Sequence, residues 1–165
     1  MAKVTIMQLG EGLVTDNATG MKGMLTHCQI NPLGNTMYVF QPKGLNPETG
    51  HPVERIYLDE SRIQGGKPQE IEVPTEVLGT EVEDLATGLV GKAIALVVHL
   101  SGCVHCDVQP TGKLTKTGSV PGLTDIDIRR LKGVKVPKLT KAEKAQDRAT
   151  KPSPMGMPRR HAWGV

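Results

Sequence analysis

Apolar and polar positions alternate along this chain in short runs separated by Gly, Pro, Asn and Thr. That rhythm predicts β-strands joined by tight turns. Residues 3–9 read as a lead-in strand. Val14–Asp16 is a first short strand, and Ala18-Thr19-Gly20 is a turn whose glycine supplies a positive φ. A second strand covers Met24–Ile30 and a third Thr36–Gln41, with the Gly-bearing turn Asn31-Pro32-Leu33-Gly34-Asn35 between them. Pro42 ends the third, since proline cannot donate to a continuing ladder. After a loop of Gly, Pro, Thr and Lys, a fourth strand spans Arg55–Leu58 and a short fifth lies near Glu70–Val73.

The rhythm then starts again. Strands are predicted from Val82 to Asp84, over Lys92–Leu100 and over Cys103–Gln109, closed by Pro110. Others follow at Asp125–Ile128 and near Val134–Val136. Residues 14–67 align with 82–135 at a constant offset of 68 without a gap, and 16 of the 54 positions are identical. The shared residues are turn and strand-end types: Asp16/Asp84, Thr19/Thr87, Gly20/Gly88, Gly23/Gly91, Gln41-Pro42/Gln109-Pro110, Asp59/Asp127 and Arg62/Arg130. Repetition at such a period marks one supersecondary unit used twice. The division expected is a first barrel at 1–66, a linker at 67–79, a second barrel at 80–137 and an arm at 138–165.

Composition narrows the classes. One Phe, two Tyr and one Trp leave the interior to Val, Leu, Ile, Met and Ala, while nineteen Gly and twelve Pro suit an all-β chain of short elements. The net charge of +3 is uneven: residues 138–165 carry seven Lys or Arg against two acids, and the rest is slightly acidic. A basic tail points to an acidic partner or a nucleic acid, or is simply solvated. Within it, Thr140-Lys141-Ala142-Glu143 fits a capping box, so a short helix is predicted over Thr140–Thr150, followed by a Pro-rich extended arm. No apolar run reaches membrane-spanning length, and the N-terminus lacks a signal-peptide core. Three Cys do not make a secreted disulfide framework, so a reducing cytoplasm is the expected site of synthesis.

The pattern Val82-x-Asp84-x-Ala86-Thr87-Gly88-x-x-Gly91, then a strand, Gly102-Cys103 and a strand ending Gln109-Pro110, resembles a module in small proteins of tailed bacteriophages. The match covers Thr80–Leu131 well and Leu13–Ile63 more loosely, because Asn35 stands where the cysteine belongs. The module is SH3-like, and its Gly-bearing first hairpin is also similar to KOW-type barrels. The resemblance implies two tandem SH3-like (KOW-like) β-barrels. It also implies a structural place in the virion, most naturally as a capsid decoration (cement) protein on the major capsid protein lattice. A neck, tail or baseplate position is the structural alternative, and a KOW-type nucleic-acid-binding protein the alternative of another class.

The candidate chemistry is sparse. Cys103-x-x-Cys106, with His99 and His105, has the spacing of a zinc knuckle. On a strand, however, residues three apart face opposite ways, which puts Cys106 inward with Val104 and Val108 and Cys103 outward with His105. No second Cys pair completes four ligands, so no metal or other cofactor is expected. His27 and Cys28 are adjacent on a strand and point apart, Cys103 with His105 lacks an orienting third group, and no catalytic residues are assigned. Asp16, Gly20, Gly23, Asp84, Gly88 and Gly91 are assigned to the repeated turns, and Asp59-x-x-Arg62 and Asp127-x-x-Arg130 to local ion pairs. Stacking aromatics for a nucleic acid would be Tyr38, Phe40 and Tyr57, all in the first repeat. The residues expected to meet a partner are Arg159, Arg160 and Trp163 of the arm. The partners expected are other virion proteins or a second copy of the chain, with no membrane and no nucleic acid.

Overall fold

The structure, a computed structural model, describes residues 1–112 and 114–136. The predicted helix at Thr140–Thr150 and the arm residues Arg159, Arg160 and Trp163 lie outside the described residues.

Alternation decides which side chains enter the core. The strands are β1 (Ala2–Met7), β2 (Val14–Asp16), β3 (Lys22–Ile30), β4 (Thr36–Pro42), β5 (Ile56–Asp59), β6 (Ile63–Gln64) and β7 (Pro68–Val73). They continue with β8 (Glu81–Glu83), β9 (Val90–His99), β10 (Val104–Pro110) and β11 (Thr124–Asp127). Short 3-10 turns sit at Glu60–Arg62, Thr75–Val77 and Ile128–Arg130. In β4, Thr36, Tyr38, Phe40 and Pro42 turn inward and the residues between them outward. In β10, Cys106 and Val108 turn inward. Tyr38, Phe40, Cys106 and Val108 join Leu25, Cys28, Ile30, Leu58, Leu96, Val98, Ile126, Ile128 and Leu131 in one apolar cluster that runs through both repeats. Burying each such side chain contributes about 1.5–3 kcal/mol, which is how a chain with few aromatics holds its core.

The all-β expectation holds, but the strands do not close into barrels. Within the first repeat β3 pairs β4, β4 pairs β5, and β2 pairs both β3 and β6. No pairing among the described residues joins β5 to β6. The second repeat follows the same plan, with β9 between β8 and β10, and β10 paired to β11. Its counterpart of β6 shrinks to one bridge, Asp84 with Leu131. The fifth strand expected at 134–136 is absent, and the one expected near Glu70–Val73 belongs elsewhere. As β7 it pairs β1 from Ala2↔Val73 to Met7↔Pro68. The span between the repeats therefore carries structure, and Val73 and Val77 are buried. Tyr38 ties this ribbon to β4: the Met7 N–H donates to its hydroxyl at 2.8 Å.

The two repeats are joined strand to strand. β3 runs antiparallel to β9 with His27↔His99, Cys28↔Val98, Gln29↔Val97 and Ile30↔Leu96 in register. Adding 68 to Gln29 gives Val97, and Cys28↔Val98 maps onto Ile30↔Leu96. A pseudo-twofold axis thus passes between Gln29 and Val97, and β11-β10-β9-β3-β4-β5 form one continuous ladder across it.

Local irregularities repeat as well. The β3–β4 register slips at Thr26 and the β9–β10 register slips at the equivalent Ile94, so both repeats carry the same bulge. Gly20 and Gly88 adopt φ of 75° and 74° in the turns. Gly23 and Gly91, also expected as turn glycines, instead lie inside β3 and β9 with no positive φ. A Cβ there would stand 2.3 Å from the Gln41 carbonyl oxygen and 2.5 Å from that of Gln109, so close approach of backbone is what excludes a side chain.

Candidate functional site

The repeated acids are the most deeply held polar groups described. Asp16 is fully buried at the end of β2. Its carboxylate accepts from Arg62 Nε at 3.0 Å and Nη2 at 2.7 Å, from the Thr19 hydroxyl at 2.6 Å and from the Ala18 N–H at 3.2 Å. Asp84 repeats the arrangement with Arg130 Nε at 3.0 Å and Nη2 at 2.5 Å, Thr87 at 2.6 Å and the Ala86 N–H at 3.3 Å. In each repeat the arginine is 46 residues from its aspartate, so the clamp staples the end of the unit to its beginning. This corrects the expected local Asp-x-x-Arg pairs. Asp59 instead accepts the Ser61 N–H, and Asp127 pairs with Arg129. The guanidinium, helped by the threonine hydroxyl, holds each clamp carboxyl well below the usual carboxylate range. Both oxygens of each clamp carboxylate are thus engaged within the repeat.

The cysteines divide as the alternation predicts. Cys106 and Cys28 are buried and Cys103 is exposed. Burial pushes the Cys106 thiol up to about 12 and the Cys28 thiol to about 11, so neither supplies a thiolate near neutral pH. Cys103 lies in the β9–β10 turn, where the Ser101 hydroxyl donates to its sulfur at 3.2 Å.

The pairing of β3 with β9 brings together three imidazoles that sequence spacing keeps apart. His27, His99 and His105 stand in a row on the outer face of the ladder. Ring centroids are 4.5 Å apart from His27 to His99 and again from His99 to His105. His105 Nδ1 is 2.8 Å from the Asp125 carboxylate, and His27 Nδ1 is 2.9 Å from the Thr26 hydroxyl. His99 Nε2 is buried with no hydrogen-bond partner among the described residues. Burial lowers the basicity of both His27 and His99; Arg55 adds to this at His27 and the neighbouring imidazoles at His99, while Asp125 opposes it at both. Among the described residues no three His, Cys, Asp or Glu groups are placed to hold a metal ion. Sequence reasoning considered His99 with His105 but missed His27, because nothing in the chain's periodicity announces the β3–β9 pairing.

The remaining surface features are edges and loops. No described strand covers the outer edge of β5 or of β11. Beside each edge a long loop is pinned by the repeated glutamine: Gln41 Nε2 donates to the Val53 carbonyl at 2.7 Å and Gln109 Nε2 to that of Pro121 at 2.8 Å. Leu45, Leu114, Val120 and Leu123 are exposed on these loops. A shallow cleft beside β5 is lined by His27, Val39, Glu54, Arg55 and Tyr57. Of the three aromatics considered for base stacking, Tyr38 and Phe40 are in the core and only Tyr57, 64% exposed, faces out. Among the described residues no helix is long and apolar enough to cross a membrane. Comparison with protein-family models, curated proteins and solved structures finds nothing that matches this chain.

Proposed function

We propose that the chain is a structural, protein-binding component built from two divergent copies of one SH3-like unit. In each copy a meander passes through a 3-10 turn and returns to its first strand, which supports that reading of the unit. The role we favour is that of a capsid decoration protein of a tailed bacteriophage, fixed to the major capsid protein lattice. The observation that carries the structural role is the split between what the copies keep and what they change. They keep the carboxylate clamp, the bulge, the close-packed glycine and the loop-pinning glutamine. They change the side chains between these, inward and outward alike, and the outward changes are those that two halves touching different neighbours would show. The edges of β5 and β11, which no described strand covers, are related by the pseudo-twofold axis and offer backbone groups that a partner strand can extend. The arm at 138–165, through Arg159, Arg160 and Trp163, would add an apolar anchor and positive charge to the contact.

The test is co-sedimentation of the full chain with assembled capsids, beside a chain lacking residues 151–165. Stoichiometric binding that falls on truncation supports decoration. Binding to tail or baseplate assemblies instead would move the protein along the particle. Binding to RNA with a steep salt dependence, and none to particles, would favour the nucleic-acid reading.

A further inference from the structure

We propose that the pair His27–His99, with His105 stacked beside it, is an acid-sensitive lock on the joint between the repeats, holding the β3–β9 pairing while these two rings are neutral and loosening it when they take up protons. The placement carries this. His27 and His99 are the register pair that ends the inter-repeat ladder, so a disturbance there acts on the joint itself. The rings meet edge to face at 4.5 Å, a contact that suits neutral imidazoles and that two imidazolium charges would oppose. His99 Nε2 has no hydrogen-bond partner among the described residues, so in the doubly protonated ring its N–H is a buried, unpaired donor that carries positive charge.

The surrounding charges do not rescue the protonated state. Arg55 bears on His27, and a protonated His105 would bear on both other rings, each opposing positive charge there. Glu54 lines the cleft beside His27. From β11, Asp125 and Asp127 favour protonation, but the Asp125 carboxylate already holds His105 and Asp127 holds Arg129. Asp107, two residues from His105 on β10, faces Asp125 across the ladder. The outcome agrees in sign: both His27 and His99 are less basic than the ordinary histidine. The unfolded or parted chain therefore binds protons first as pH falls. The stability contributed by the neutral rings is whole above about pH 6.5 and is lost progressively below it.

The pseudo-twofold axis supplies an internal control. The position equivalent to His27 is Ala95 and that equivalent to His99 is Asn31, so only one end of the joint carries the titrating pair.

The test is urea unfolding and native-state amide exchange of the full chain at pH 7.5 and pH 5.5, set beside a His27→Gln/His99→Gln variant. The lock predicts that acidification opens the Leu96–His99 amides severalfold more than those of β4 and β5, after correction for intrinsic exchange. It also predicts a smaller stability loss in the variant. Equal losses in both chains would overturn it. Should the variant fail to fold, imidazole titration of the wild type by NMR decides. Midpoints for His27 and His99 below the ordinary range, accompanied by shifts of the joint amides, support the lock, and ordinary midpoints refute it. Neither result bears on capsid binding, so the two proposals stand or fall separately.

Discussion

The two repeats share a hydrogen-bonded frame and fill it differently. Where β4 buries Tyr38 and Phe40, β10 buries Cys106 and Val108 at equivalent positions. The larger residues of the first repeat also do something the second cannot, since the Tyr38 hydroxyl receives the β1–β7 ribbon. In both repeats the clamp, the bulge and the glutamine pin stay in place. The difference teaches that this unit is specified by polar staples and close backbone contacts, and that core volume can be redistributed around them.

Substitutions in matched positions test that contrast, from the largest effect to the smallest. Phe40→Ala should destabilise by about 3–5 kcal/mol and Val108→Ala by roughly 2, because the cavity scales with the side chain lost. Denaturant unfolding of the pair reads the asymmetry directly, and equal losses would mean that the second repeat is packed as densely as the first. Asp16→Ala and Asp84→Ala, by contrast, should lower Tm by similar amounts, on the order of 10 °C, since each leaves an arginine without its buried carboxylate. A loss confined to one of them would show that the clamps are alike in geometry only. The pH dependence follows from the same pair. Both carboxyls are held below their ordinary value, so their contribution is complete above about pH 4 and is lost as pH falls further. Thermal melts below pH 4 should show a shallower acid slope for Asp16→Asn than for the wild type.

Gly23→Ala and Gly91→Ala should each cost about 1–3 kcal/mol, because a Cβ would collide with a backbone carbonyl that the ladder holds fixed. Thermal denaturation checks this, and tolerance at either glycine would mean that the strands part more easily there. At the small end, Lys132→Gln places in the second repeat the residue type that Gln64 supplies in the first. It removes only an exposed pair with Glu83 and should change stability by less than about 0.5 kcal/mol.

Much of the fold was legible because it rests on local chemistry. Alternation located β3, β4, β9 and β10, the prolines marked where β4 and β10 end, and the offset between copies announced the duplication. What escaped depends on distant partners. Spacing pairs Arg62 with Asp59, its sequence neighbour, and cannot reveal that β6 returns to β2 and so brings the preceding Arg62 guanidinium to Asp16. Glu70–Val73 was recognised as a strand, but its pairing with β1 is a choice among several free edges that alternation does not rank. Gly23 and Gly20 look alike in a sequence, although one is required by close backbone approach and the other by its positive φ. Cys106 was placed correctly because a two-residue period sufficed. The row of histidines stayed hidden because it is assembled by the joint between repeats.

The antiparallel joint through Gln29 and Val97 also has a consequence for assembly. Two copies of a single repeat that paired in this manner would form a symmetric dimer, with stability that rises and falls with its concentration. Placing both repeats on one chain makes the encounter intramolecular, with an effective concentration in the millimolar range for a short connection. The pairing then survives dilution. A substitution in one half is also no longer copied automatically into the other, so a single chain can hold an unlike pair of faces in fixed register.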